Sequence, residues 1–262
     1  MSDSITKTKE IAVFTFGRFQ PPTIGHQVLI EGIKTLATER DGDAYVFVSS
    51  TVNNMEKYLT SSSYAAFKKS GEFESTADNE NPLAVEQKVG YLKKMYPSDI
   101  SIINTTTCGC TNLTAIVDKL EEAGYISIVI GVGSDRVGQF QRIFSKHGNI
   151  EVVGVGAKRK AKNKTTAGMS GTKMRLAAVR GDLDLFKTGV MIGSMTESNV
   201  QQLMKNVRIG LGVEERVVNS GATGRESVNS GAGKKENTTN GGRRTLTRKR
   251  RPTSSQGLVY KY

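Results

Sequence analysis

Two short stretches of this 262-residue chain gather six side chains of types that handle phosphate. Arg18, Thr23 and His26 stand in GRFQPPTIGH, and Ser170, Thr172 and Arg175 in MSGTKMR. A guanidinium grips two phosphate oxygens at once. A histidine beside a transferring phosphoryl group steadies the charge that develops there. Serine and threonine hydroxyls at a helix start, with the free backbone N–H groups beside them, hold further oxygens. The set has no thiol or hydroxyl nucleophile with its base. It suits a transfer in which an already ionised phosphate attacks, so that the protein need only orient the reactants and neutralise charge. A third stretch, GVGSDRV, sets Asp135 and Arg136 after Gly133. Ser134 or Asp135 can cap the next helix there while Gly131 and Gly133 permit the turn, a role compatible with contact to a nucleotide.

These side chains need strands that end abruptly and helices that begin at the same edge. Residues 11–16 are nearly continuously apolar, the pattern of a strand covered on both faces. Gly17 ends the run, Pro21-Pro22 forbids helix, and the pattern predicts a helix opening near Thr23 with Val28, Leu29, Ile33 and Leu36 on one stripe. Further strands are predicted at 44–49, 100–103, 126–132 and 150–155. Helices are predicted at 113–123, 136–146, from about 170, and at 197–207. Asn81-Pro82 predicts another, with Asn as N-cap and Pro at N1, carrying Val85, Val89, Leu92 and Met95 and stopping before Pro97. This alternation means a parallel five-stranded sheet with helices on both faces, a Rossmann-like α/β fold. Residues 50–81 are rich in Ser, Thr and Asn and form an insertion over the carboxyl edge of the sheet, with one helical piece at 64–69.

The formal charge is +12, and its location matters more than its size. Residues 213–262 hold eleven Lys/Arg against four Glu, and six of those cations lie within 243–251. VNSGA occurs twice there, at Val218 and Val228. The composition is that of a low-complexity basic tail, disordered in isolation. The division expected is a polar segment 1–10, a domain over 11–212 and the tail. Before Ser170 runs a basic loop with Lys158, Arg159, Lys160, Lys162 and Lys164. Cys108 and Cys110 read as ordinary loop thiols in a reducing compartment. With only His26 and His147 as further soft ligands, no metal site is expected. His147 beside Gly148 suits a helix end. No apolar h-region and no apolar run of spanning length are visible, so the expectation is a soluble cytoplasmic protein without membrane contact.

GRFQPPTIGH resembles the signature of the nucleotidyltransferase (cytidylyltransferase-like) superfamily, (His/Thr)-x-Gly-His after a strand. It is most similar to the form in archaeal-type nicotinamide-mononucleotide adenylyltransferases and in cytidylyltransferase-like proteins of large phages and viruses. MSGTKMR resembles the partner signature, Ser-x-Thr-x-x-Arg. NPLAVEQKVGYLKKMYP, VGSDRVGQFQRIF and LMKNVRIGLG extend the likeness over residues 11–212, while the insertion and the tail depart from it. The resemblance implies transfer of a nucleoside monophosphate, AMP or CMP, from a triphosphate carrying Mg²⁺ to a phosphorylated small-molecule acceptor. It implies His26, Thr23, Arg18 and Arg175 as the catalytic set. Gly17, Phe19, Gly25, Gly133, Asp135, Arg136, Ser170, Gly171 and Thr172 would then bind nucleotide. Class I aminoacyl-tRNA synthetases share the fold logic, but this length leaves little room for tRNA-recognition domains. The alternative is a viral structural or nucleic-acid-binding protein on the same fold, its tail an arm for nucleic acid or an acidic protein surface. Its location would be a virus-infected host cell or the virion.

Overall fold

The computed structural model describes residues 4–96, 100–156 and 169–213. The basic loop 158–164 and the tail, with its cluster at 243–251, lie outside the described residues. Five strands, β1 (Ile11–Gly17), β2 (Gly42–Val48), β3 (Ser101–Asn104), β4 (Ser127–Gly133) and β5 (Ile150–Val155), make one sheet in the order β3-β2-β1-β4-β5. Every pairing is parallel; β1 meets β2 from Ile11↔Gly42 to Gly17↔Val48 and β4 from Ile11↔Ser127.

Side chains alternate between two cores, as period-two geometry requires. Val13, Val46, Val48 and Val129 enter one, with α1 (Gln27–Glu39), α4 (Val85–Met95), α7 (Gly171–Arg180), α8 (Leu183–Val190) and α9 (Glu197–Gly210). Ala12, Phe14, Tyr45, Phe47, Ile128 and Ile130 enter the other, with α5 (Leu113–Glu122) and α6 (Val137–Ile143). Crossovers from β1 toward β3 run over one face and those from β3 to β5 over the other, as a single crossover hand demands. The chain therefore reverses direction between β1 and β4. A parallel sheet opens a crevice at that reversal, beyond the carboxyl ends of the strands. At the opposite pole Asp43 fastens the segment before β1, accepting from Thr8 N (2.8 Å), Lys9 N (3.0 Å) and the Tyr125 hydroxyl (2.7 Å). Burial raises its carboxyl pKa, and these bonds from Thr8, Tyr125 and Lys9 outweigh that and leave it below the usual value.

Several local expectations are corrected. The chain past Pro22 first makes a 3-10 turn, Ile24–His26, and α1 starts one residue later. The face that α1 buries is Ile30, Ile33 and Ala37, while Val28 is exposed. Asn81 and Pro82 do not open α4; Ala84 is its N-cap. The chain is held extended instead, because the Gln20 amide pairs with Leu83 like a neighbouring strand, Leu83 N to Oε1 at 2.9 Å and Nε2 to Leu83 O at 2.8 Å. The insertion holds two helices rather than one, α2 (Met55–Leu59) and α3 (Ser62–Ser70). α6 is shorter than its apolar pattern suggested, and α8 adds a helix before α9. Cys108 and Cys110 are not free thiols but a disulfide. The turn after β3, closed by Cys108 N to Asn104 O and Cys110 N to Thr105 O, brings their Cα atoms to 5.3 Å. That separation lies in the bridging range. Val213 packs on the first core and donates its N–H to Arg208 O, so the folded unit continues past residue 212.

Candidate active site

The crevice between β1 and β4 is a cleft of about 430 Å³. Eleven of the thirteen residues singled out above line it: Gly17, Arg18, Phe19, His26, Gly133, Asp135, Arg136, Ser170, Gly171, Thr172 and Arg175. Thr23 and Gly25 do not, and their positions explain the rest.

Two glycines let the stretches touch backbone to backbone. A Cβ on Gly25 would stand 2.6 Å from Met169 O, and one on Gly171 would stand 2.6 Å from Gln20 O. Each stretch thus contributes a glycine against a carbonyl of the other. Gly25 and Gly171 serve this seam whatever else they meet, because any side chain there would push the halves apart.

Thr23 is fully enclosed, and its side chain meets His26 rather than the cleft. Its N–H donates to His26 Nδ1 at 3.1 Å, and its Oγ1 lies 3.0 Å from the same nitrogen. Nδ1 must carry a lone pair to accept, so the proton of the neutral ring sits on Nε2. The imidazole is braced from below by Phe19, ring centroids 4.9 Å apart, a residue held at φ +48°. Tyr96 steadies the turn, its hydroxyl 3.3 Å from Thr23 O. Burial, with Glu31 adding, pushes that phenol far above its usual pKa and keeps it a donor.

Ser170 caps α7, its Oγ accepting from Lys173 N at 3.2 Å. Arg175, one turn in, is 5 % exposed. Its NH1 donates to Gln20 O at 2.6 Å, and its NH2 to Ser75 Oγ at 2.7 Å and Thr172 Oγ1 at 3.2 Å. Its Nε–H is buried without a protein acceptor. Burial pulls its pKa to about 10, Glu80 opposing and Arg18 adding, so it stays charged at neutral pH. Arg18 is ion-paired with Glu80. On the far wall Arg136 N closes the GSDR turn on Gly133 O at 2.8 Å, setting Asp135 and Arg136 at the rim.

Four residues escaped the sequence reading. Gln20 ties the first loop to Leu83, and Thr51 O also accepts from its amide at 3.2 Å. Ser75 and Glu80 come from the insertion, where nothing in a run of Ser, Thr and Asn marked them. Lys88 is fully buried and donates to Ser49 O and Thr51 O. Its signal was present: Val85, Lys88, Val89 and Leu92 share one helix face, so the lysine stands in an apolar stripe.

Burial lowers the Lys88 pKa to about 8, Glu86 opposing and Arg18 adding. Unfolded, the same lysine holds its proton to about 10.4. Between those values the unfolded chain binds more protons, so this group adds stability as pH rises and loses it as pH falls through 8. Wild type is predicted to gain about 1–2 kcal/mol relative to Lys88→Met between pH 7.5 and 9.5. Urea denaturation of both proteins at the two pH values measures this. A parallel response in the two would contradict it. Higher pH is avoided because burial also raises Tyr45, Tyr58 and Tyr91, whose ionisation in the unfolded chain acts the other way.

Among the described residues no three His, Cys, Asp or Glu side chains gather where they could hold a metal ion, and no helix is long and apolar enough to cross a membrane. The fold and cleft are those of a Rossmann-like α/β protein with its crevice at the strand reversal. No family model matches the chain, and no curated protein does.

Proposed function

We propose that this protein is a nucleotidyltransferase. It moves AMP or CMP from a nucleoside triphosphate to a phosphorylated small-molecule acceptor, in the manner of a nicotinamide-mononucleotide adenylyltransferase. The observation that carries the reading is the seam: Arg175 reaches Gln20 O across 155 residues of sequence, so the two phosphate-handling stretches close on one cleft.

An acceptor phosphate oxygen attacks the α-phosphorus, the bond to the β-bridging oxygen breaks, and pyrophosphate departs with that bond's electrons. No proton need be removed from an acceptor phosphate already ionised at neutral pH. His26, its Nε2–H fixed by Thr23, donates to the transferring group's oxygens, where charge shifts most. The α7 N-terminus, Ser170, Thr172 and the Arg175 guanidinium are the donors for the β and γ phosphates. Arg18 takes the acceptor phosphate. Mg²⁺ enters with the triphosphate, as part of the substrate. A pyrophosphate-release screen of the four triphosphates against phosphorylated acceptors, nicotinamide mononucleotide first, tests the reading. No release from any pair would end it.

The six cations within 243–251 support a second activity, binding of nucleic acid or an acidic protein surface. Removing residues 218–262, beyond the unit that ends at Val217, is expected to leave turnover within about twofold. It should abolish any salt-sensitive nucleic-acid binding, since phosphate contacts through cations weaken steeply with salt. Gel-shift and turnover assays on one preparation decide it; lost turnover with binding retained would reverse the assignment.

A further inference from the structure

The insertion does not stand apart from the cleft; it supplies two side chains that engage the cleft's arginines. Ser75 meets Arg175 and Glu80 pairs with Arg18. Glu80 is delivered by a built turn. Asn79, before it, is buried and bonded to Glu74 O and Thr76 N, both at 2.8 Å. Asn81, after it, exchanges two 2.8 Å bonds with buried Asn53. The flanks are fixed, but the Glu80 side chain itself is 32 % exposed. Its carboxylate can leave Arg18 by rotation, without any unfolding.

Arg18 also lines a second hollow beside the cleft, together with Ser49, Thr51, Thr111, Asn112 and Thr114. Among the described residues, Arg18 is the one charged side chain lining that hollow. Phe16, Leu113 and Ile143 line it too, so the hollow suits an uncharged molecule with both apolar and hydroxyl-bearing faces, and Arg18 stands where its phosphate would lie.

We propose that Glu80 is an internal stand-in for the acceptor's phosphate: it holds Arg18 until a phosphate displaces it, and so sets which anions the site accepts. The proposal rests on the acceptor reading above. A carboxylate and a phosphate use the same fork of a guanidinium, and both cannot stay because like charges in contact repel. Exchanging one monoanion for another gains nothing. A dianionic phosphomonoester gains the second charge, so the site selects phosphomonoesters over phosphodiesters and carboxylates.

Calorimetric titration of the full chain with inorganic phosphate tests this without catalysis. Glu80→Gln is expected to bind phosphate about fivefold to tenfold more tightly than wild type, a competitor having been removed from a half-exposed pair. Glu72→Gln, which removes an exposed charge from the same segment, should match wild type. Adding Arg18→Gln to Glu80→Gln should erase the gain. If Glu80 merely props Arg18 in place, Glu80→Gln binds phosphate more weakly. That result, unchanged affinity, a gain surviving loss of Arg18, or no phosphate binding by either protein overturns the proposal. Pyrophosphate release is scored separately. A chain that tightens on phosphate as described yet transfers no nucleotide keeps the Glu80 exchange and loses the transferase reading.

Discussion

Replacing His26 with alanine is expected to lower turnover by roughly 10² to 10³ while triphosphate affinity changes little. The basis is the fixed tautomer. Thr23 N–H and the Thr23 hydroxyl both face Nδ1, so Nε2 is the ring's donor, and Phe19 holds the plane. A donor held this way stabilises charge in the transition state without reorganising. Its loss therefore appears in kcat and in kcat/KM alike. The substitution leaves Thr23 N–H without its acceptor, a stability loss of about 1 kcal/mol that a thermal melt can separate from catalysis. Single-turnover kinetics with saturating triphosphate is the deciding measurement. Retention of full turnover would remove His26 from the mechanism.

Arg175→Ala is expected to weaken triphosphate binding about 10²-fold and to destabilise the fold by about 2–4 kcal/mol. Two effects coincide because the guanidinium has two duties. One N–H belongs to the seam, at Gln20 O, and the same guanidinium lines the cleft beside Thr172. Arg175→Lys separates them. A lysine keeps the charge but not the fork, so it should recover part of the stability and little of the binding. Calorimetry with a non-hydrolysable triphosphate, alongside denaturant titration, reads both quantities. Unchanged affinity in Arg175→Ala would contradict the placement of the β and γ phosphates at α7.

The strands were legible because burial on both faces leaves a continuous apolar run, and all five lie within two residues of their expected bounds. The cleft was legible because each of the two stretches that line it is local, its loop and helix start lying within a few residues of one another. Most of what escaped was made by long-range pairing. Asn81-Pro82 has sound helix-opening chemistry, yet the Gln20 amide claims Leu83 and delays α4 to Val85. Thr23 looked like a phosphate ligand from its motif position, but burial turns its hydroxyl onto His26. Glu80 carried no local mark; the Asn79 turn and the Asn53–Asn81 exchange together bring it to Arg18. The two cysteines escaped for a different, local reason, since a turn closed by backbone bonds after β3 brought them within bridging range.

The contact of Gly25 and Gly171 with each other's stretches also has a consequence in time. Strand β1 and the loop bearing His26 are made first, and their seam partner and the guanidinium that closes it appear some 150 residues later. A ribosome adding about 5–20 residues per second takes several seconds or more to cover that distance. Throughout that interval the nascent chain displays one wall of the cleft without the other. The cleft is therefore incomplete until α7 docks, and a truncation between β5 and Met169 would keep all five strands but lose the wall that α7 supplies.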